Sequence, residues 1–257
     1  SRIPQKLTPV KLHPKKSLGQ NFLTHKGTLH KILNAADLQP TDHVIEIGPG
    51  KGVLTAALLE HTKQVETIEL DDRLIPLLTE KFANTDLKIH HQDALTFDPP
   101  NTPYKLVANI PYYITSPLIN HFLREQPPEK RPQSLTLLVQ KEVAQKICSK
   151  PGKLSVLALQ VHFFGTPKLI AKVPPSHFSP APKVDSAILQ INLHRKSLIK
   201  NSDLTKLFEL IHRGFAHKRK KLIRNLNATS EQFAKLNLSE NTRAEELTIQ
   251  DWLNLLD

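Results

Sequence analysis

Two segments of this chain carry residue types suited to chemistry: Glu46-Ile47-Gly48-Pro49-Gly50-Lys51-Gly52 and Asn109-Ile110-Pro111-Tyr112-Tyr113. The first follows an apolar run and holds three glycines in seven residues, a turn through which backbone can approach a ligand closely. Its spacing is G-x-G-x-G, with Val53 in the slot where dinucleotide sites carry their third glycine, so the diphosphate fingerprint is incomplete. The second offers a carboxamide, a proline-stiffened turn and two aromatics. Two acids lie between them, Glu69 and Asp93, each at the end of an apolar run. A carboxylate closing a second strand can accept both ribose hydroxyls. One closing a third strand can accept from an adenine amino group. Singly, such acids cap helices and such glycines make structural turns. In this order they imply an S-adenosylmethionine pocket, with Gly48, Gly50, Glu69 and Asp93 at the cofactor.

The reacting end is then Asn109, Pro111 and Tyr112. Adenine N6 is a poor nucleophile because its lone pair is delocalised into the ring. If the Asn109 side-chain oxygen and the following backbone carbonyl accept its two hydrogens, the lone pair can turn towards a methyl sulfonium. The methyl already carries an excellent leaving group, so alignment and electrostatics carry the step rather than a strong base. Tyr112 can stack on the base, which must leave its helix to enter such a pocket.

These groups need a scaffold that brings strand ends together, and the hydrophobic pattern supplies one. Strands are expected at 43–48, 64–70, 87–93, 104–110 and 134–140. Helices are expected at 24–36, 53–61, 72–82, 116–124, 141–148 and 154–163. Strand–helix alternation with short connections argues for a parallel sheet covered on both faces. Two further strands, 167–173 and 184–193, flank the proline-rich stretch 174–182. Beyond Ser202 only helical spacing remains: Leu204, Leu207, Phe208, Ile211 and Phe215, then 247–256. The expected fold is therefore α/β, with an antiparallel last strand in a seven-stranded sheet. The expected division is a catalytic domain over 1–196 with a basic N-terminal arm, and a small all-α domain over 197–257.

The formal net charge of +11 favours polyanion partners. From Ser1 to Ala36 there are seven cations and no carboxylate. From Lys200 onward ten cations nearly balance eight carboxylates, yet five crowd into Lys218, Arg219, Lys220, Lys221 and Arg224. Charge runs are ordinarily solvated faces; two beside a catalytic domain point to nucleic acid. Lys15 and Lys16 of the N-terminal arm join the expected RNA contacts. The single cysteine, Cys148, excludes a disulfide within the chain, and the thirteen histidines lack metal-site spacing, so no metal is expected. No apolar stretch approaches a membrane span and no signal peptide is visible, so a cytoplasmic protein is expected.

The chain closely resembles the ribosomal RNA adenine N6,N6-dimethyltransferases, and among them the small-subunit group. The resemblance runs from Lys15 to Asn227. It is carried by Lys16–Leu23, the Glu46–Gly52 turn, Glu69, Gln92-Asp93-Ala94, Asn109–Tyr113, Gln140–Ala144, Phe178–Ala187 and Arg213–Leu222. It implies a Rossmann-like class I methyltransferase and cofactor contacts at Asn21, Leu23, Gly48, Glu69, Asp93, Ala94 and Asn109, with S-adenosylhomocysteine as product. It also implies that Phe178 forms the other side of the base slot. The implied partner is 16S rRNA in the small ribosomal subunit or its precursor, met by a monomer. A sister group dimethylates a large-subunit (23S) rRNA adenine; it shares the cradle and the Asn-x-Pro-Tyr turn. A ribosome-assembly factor on the same fold is a further alternative. The resemblance is incomplete at Ser149–Leu154, where the family usually carries a longer loop containing glycine and tyrosine.

Overall fold

The computed structural model describes residue 15 and residues 18–257; Lys16, one of the expected RNA contacts, lies outside the described residues. Among these, nine strands form two sheets. In chain order they are β1 (Phe22–Leu23), β2 (His43–Ile47), β3 (Gln64–Glu69), β4 (Lys88–His91), β5 (Lys105–Asn109), β6 (Ser134–Gln140), β7 (Gly165–Val173), β8 (Phe178–Ser179) and β9 (Ser186–Leu193). Seven of them make the main sheet in the order β4-β3-β2-β5-β6-β9-β7. The first five are parallel, and β9 runs antiparallel to both β6 and β7. The chain thus forms a mostly parallel seven-stranded sheet whose last strand is the reversed one.

Every residue of β2 and the first six of β6 are buried. That is the burial of strands covered on both faces, and it explains their near-continuous apolar reading. The covering helices include α1 (Lys26–Ala36), α2 (Val53–His61), α3 (Ile75–Lys81), α4 (Thr115–Phe122), α5 (Lys141–Ile147) and α6 (Val156–His162). The helix expected from Asp72 starts only at Ile75, because Pro76 is tolerated in a first turn and nowhere deeper. The proline-rich stretch is more structured than a loop. Its prolines set a 3-10 turn over Pro175–His177, followed at once by β8, which pairs antiparallel with β1. In the short connection from α5 to α6, Gly152 and Leu154 donate backbone N–H groups to the Glu245 carbonyl.

After β9 the chain is helical: α7 (Leu204–Phe215), α8 (Leu222–Asn225), α9 (Ser230–Lys235) and α10 (Ile249–Leu256). Leu204, Leu207, Phe208 and Ile211 form the buried stripe of α7, and they join one apolar cluster with the sheet's own core. At the junction Phe208 lies parallel to Phe164, ring centroids 6.4 Å apart. Arg124 sits 4.6 Å over Phe208, and Arg131 sits 4.7 Å over Phe164. Trp252 of α10 is fully buried against Phe215, and Gly214 leaves room for its indole. No helix among the described residues is long and apolar enough to cross a membrane.

Candidate active site

Chain order reverses between β2 and β5: from β2 the sheet grows through β3 and β4 on one side, and from β5 through β6 on the other. The crevice beyond the carboxyl ends at such a switch point is where open α/β sheets bind ligands. A pocket of about 420 Å³ lies there. Pairing of Ile47 with Ala108 sets Gly48 beside Asn109. A Cβ on Gly48 would lie 2.8 Å from the Asn109 carbonyl oxygen, and its φ of +70° already disfavours other residues. The Gly48 N–H donates to the Ile68 carbonyl, so the turn is tied to β3 as well. At Gly50 a Cβ would strike the Phe22 ring at 2.8 Å. Asn21, Leu23, Gly48, Gly50, Glu69, Asp93, Ala94, Asn109, Pro111, Tyr112 and Phe178 all line this one pocket.

The wall facing the glycine turn comes from the N-terminal segment. Leu23 of β1 pairs with Phe178 of β8, and the Lys51 ammonium lies 5.1 Å from the Phe22 ring centroid. The Asn109 side-chain amide donates from Nδ2 to the Asn21 carbonyl at 3.3 Å. That leaves Oδ1 as the acceptor, and no donor among the described residues reaches it. Gln20 anchors the segment by donating from Nε2 to Asp71 Oδ2 at 2.8 Å.

Three carboxylates shape the field beneath the wall. Glu46 is 1% exposed, its Oε2 accepting from the Thr55 hydroxyl at 2.6 Å. Burial pushes its pKa up to about 8; the Thr55 hydrogen bond opposes the shift and nearby Glu69 adds to it. Burial also raises Glu69, against hydrogen bonds from the backbone of Asp71, Gly50 and Leu70. Asp71 behaves oppositely: the Arg73 guanidinium, with Gln20, holds it well below the usual carboxylate range. Asp93 follows β4, caps the 3-10 turn Ala94–Thr96 and accepts from Leu95 N at 2.9 Å. No donor among the described residues reaches its second oxygen.

Tyr112 opens a 3-10 turn behind Pro111, and its hydroxyl lies 2.5 Å from Ser186 Oγ at the start of β9. Four contributors escaped the sequence reading: Gln20, Thr55, Asp71 and Ser186. Gln20 and Ser186 lie in family-like runs, but their partners are 51 and 74 residues away. Nothing local names those partners. Nothing in the sequence sets Asp71 apart from Asp72 beside it.

The expected RNA contacts lie elsewhere. Lys218, Arg219 and Lys220 are exposed on the turn between α7 and α8, and Arg224 is exposed on α8. None of these four is in an ion pair among the described residues. Lys221 donates from Nζ to Asn241 Oδ1. Lys15 lies by the pocket's outer wall, its ammonium 3.8 Å from carboxylate oxygens of both Asp71 and Asp72. No metal-binding group of three or more His, Cys, Asp or Glu side chains occurs among the described residues.

The sheet order, the glycine turn and the acids at successive strand ends define a Rossmann-like methyltransferase. The sequence model of the ribosomal RNA adenine dimethylases matches residues 12–257, and the chain belongs to that family of S-adenosylmethionine-dependent enzymes. It is 42% identical over 255 residues to a ribosomal RNA small subunit methyltransferase A of Dehalococcoides mccartyi, covering 94% of this chain and 87% of the relative. A protein of the same description from Alkaliphilus metalliredigens is 36% identical, with 93% and 90% covered. Among solved structures, a dimethyladenosine transferase from Plasmodium falciparum aligns with a TM-score of 0.79 and 28% identity, covering 91% of this chain and 95% of that one. The 23S rRNA methyltransferase ErmE aligns with a TM-score of 0.75 and 27% identity, covering 92% and 98%.

Glu46 makes stability depend on pH. It binds its proton more tightly folded than unfolded, so its contribution is complete below about 4.5 and fades as the pH rises through about 8. Replacing Glu46 with Gln removes this dependence. The melting temperature of the wild type should therefore fall relative to Glu46→Gln as buffers step through that window; parallel profiles would refute the assignment.

Proposed function

We propose that this enzyme transfers methyl groups from S-adenosylmethionine to N6 of two adjacent adenosines near the 3′ end of 16S rRNA, giving N6,N6-dimethyladenosine. It would act as a cytoplasmic monomer on the small ribosomal subunit or its precursor during ribosome biogenesis. The observation that carries the chemistry is the meeting of Asn109 with the glycine turn at the sheet's switch point. The choice of RNA is supported by the small-subunit description of relatives at 36–42% identity, against 27% for the 23S enzyme. The family-like runs 182–187 and 213–222 favour the same group.

The residues fit a sulfonium nucleoside. The bare Gly48 and Gly50 backbone admits its bulk, Glu69 suits the ribose hydroxyls, and the second oxygen of Asp93 suits an adenine amine. Asn21, Leu23 and Ala94 complete this side. When bound, the cofactor supplies an electrophilic methyl group. The chain's own task is to orient the acceptor. Asn109 Oδ1, its amide fixed by the Asn21 carbonyl, and the Ile110 carbonyl would take the two N6 hydrogens. Pro111 stiffens the turn that presents them. Tyr112 and Phe178 would hold the base between them, and Ser186 steadies the Tyr112 phenol. N6 gains the methyl and releases a proton to solvent, so the site needs no strong base.

Lys218, Arg219, Lys220, Lys221 and Arg224 supply a cationic surface for RNA phosphates. Asp71 and Asp72 already offset Lys15, which makes it a weaker partner than those on the turn.

Unmethylated 30S particles should accept labelled methyl groups, mapped by primer extension to adjacent adenosines near the 16S 3′ end. Incorporation only into large-subunit RNA would overturn the assignment. Asn109→Ala should lower transfer by at least about 100-fold, the scale of losing one transition-state hydrogen bond, with cofactor affinity changed much less than transfer. Wild-type turnover would remove Asn109 from this role. Neutralising Lys218, Arg219, Lys220 and Lys221 together should weaken RNA binding and flatten its log–log salt slope by about 3–4. An unchanged slope would return these residues to a solvated face.

A further inference from the structure

Two tyrosines follow one another at the lip of the pocket, in opposite circumstances. Tyr112 is half-buried with its hydroxyl tied to Ser186. Tyr113 is 61% exposed, the only aromatic among the large apolar side chains left in solvent among the described residues. Its hydroxyl has no hydrogen-bond partner among them. Yet its backbone belongs to regular structure. Its backbone lies in the 3-10 turn Tyr112–Ile114, which runs straight into α4, and Ile114 N donates to the Pro111 carbonyl at 3.2 Å. Its ring passes close by Gly19, where a Cβ would lie 3.5 Å from the ring's Cε1 and 3.6 Å from Cδ1. An exposed ring at the mouth of a base slot, carried on an ordered turn, offers apolar surface without a protein partner among the described residues to cover it.

We infer that Tyr113, which lines the outer edge of the pocket, is the platform for the base of the nucleotide next to the target adenine, a second nucleobase subsite at the lip of the methyl-transfer pocket. This rests on the reading of the acceptor as an RNA adenine. Drawing one base out of a stacked strand strips its neighbour of a stacking partner. The ring one residue beyond Tyr112 replaces that partner where the strand crosses the lip. Stacking on a π-face tolerates any base, so the subsite takes a flanking nucleobase without reading its identity. It is occupied equally before and during methyl transfer, so it contributes to RNA binding and not to the chemical step.

The test compares wild type, Tyr113→Phe and Tyr113→Ala on unmethylated small subunits. Tyr113→Ala should raise the KM for the particle by about 5- to 150-fold, the span of base–aromatic stacking. Its kcat and its affinity for S-adenosylmethionine should stay at wild-type values. Tyr113→Phe keeps the ring and should behave as wild type. A binding cycle with a hairpin RNA of the target sequence supplies the second readout. Making the nucleotide on the 5′ or the 3′ side of the target adenosine abasic should weaken wild-type binding on one side, and Tyr113→Ala should show no further loss there. Independent, additive losses would overturn the inference, as would an unchanged KM. So would a fall in kcat or cofactor affinity, which would mean that the ring serves only to hold the Asn109–Tyr112 turn. A wild type that methylates no adenosine of the particle would overturn the acceptor assignment itself, whereas an active wild type matched by Tyr113→Ala would sink the platform alone.

Discussion

Position 48 has no room for a side chain, and much of the site follows from that. The parallel pairing of β2 with β5 brings two segments 61 residues apart in sequence so close that a single methyl group would collide with the Asn109 carbonyl. Glycine at 48 lets the sheet close at its switch point, and the same closeness puts a bare backbone face beside a carboxamide. The proposed cofactor cradle and acceptor slot are therefore two sides of one strand contact. Pro111 and the 3-10 turn after it carry the geometry onward to Tyr112, whose phenol reaches back to β9 through Ser186.

The electrostatics divide the labour among three carboxylates within one corner. Asp71 is fully charged and saturated by Arg73, Gln20 and Lys15, which makes it an anchor. Glu46, buried with only the Thr55 hydroxyl for company, keeps its proton at neutral pH and so spares the core a bare charge. Glu69 lies between these extremes, raised by burial yet supported by three backbone N–H groups. A carboxylate has about four acceptor sites, so one held by three backbone donors can still accept from a ligand hydroxyl.

The sheet was legible because its strands are buried on both faces and read as apolar runs, with the carboxylates and Asn109 as polar stops at their ends. The start of α3 was misjudged by a few residues, since local pattern extends a helix until the Pro76 constraint is weighed. The β1–β8 ladder was not legible at all. Two residues on each side carry no periodicity, and their pairing depends on the 3-10 turn that the prolines at 174 and 175 impose. Asn21 and Leu23 entered through family resemblance alone. In the structure the Asn21 carbonyl accepts from the Asn109 amide, and Leu23 pairs with Phe178 across the β1–β8 ladder. Ser186 was hidden for a simpler reason, because a buried serine at a strand start looks like any other.

That small ladder also decides how the molecule comes apart. A seven-stranded sheet opens only with the whole core, whereas a two-residue pairing has almost no cooperative reserve. The pocket thus borrows one of its walls from a two-residue ladder outside the main sheet. Its integrity does not depend on the sheet's cooperativity, so local opening of the N-terminal wall need not unpair the strands. A population of these molecules can look fully folded by its helix and strand content and yet have lost the enclosure on which ligand binding depends.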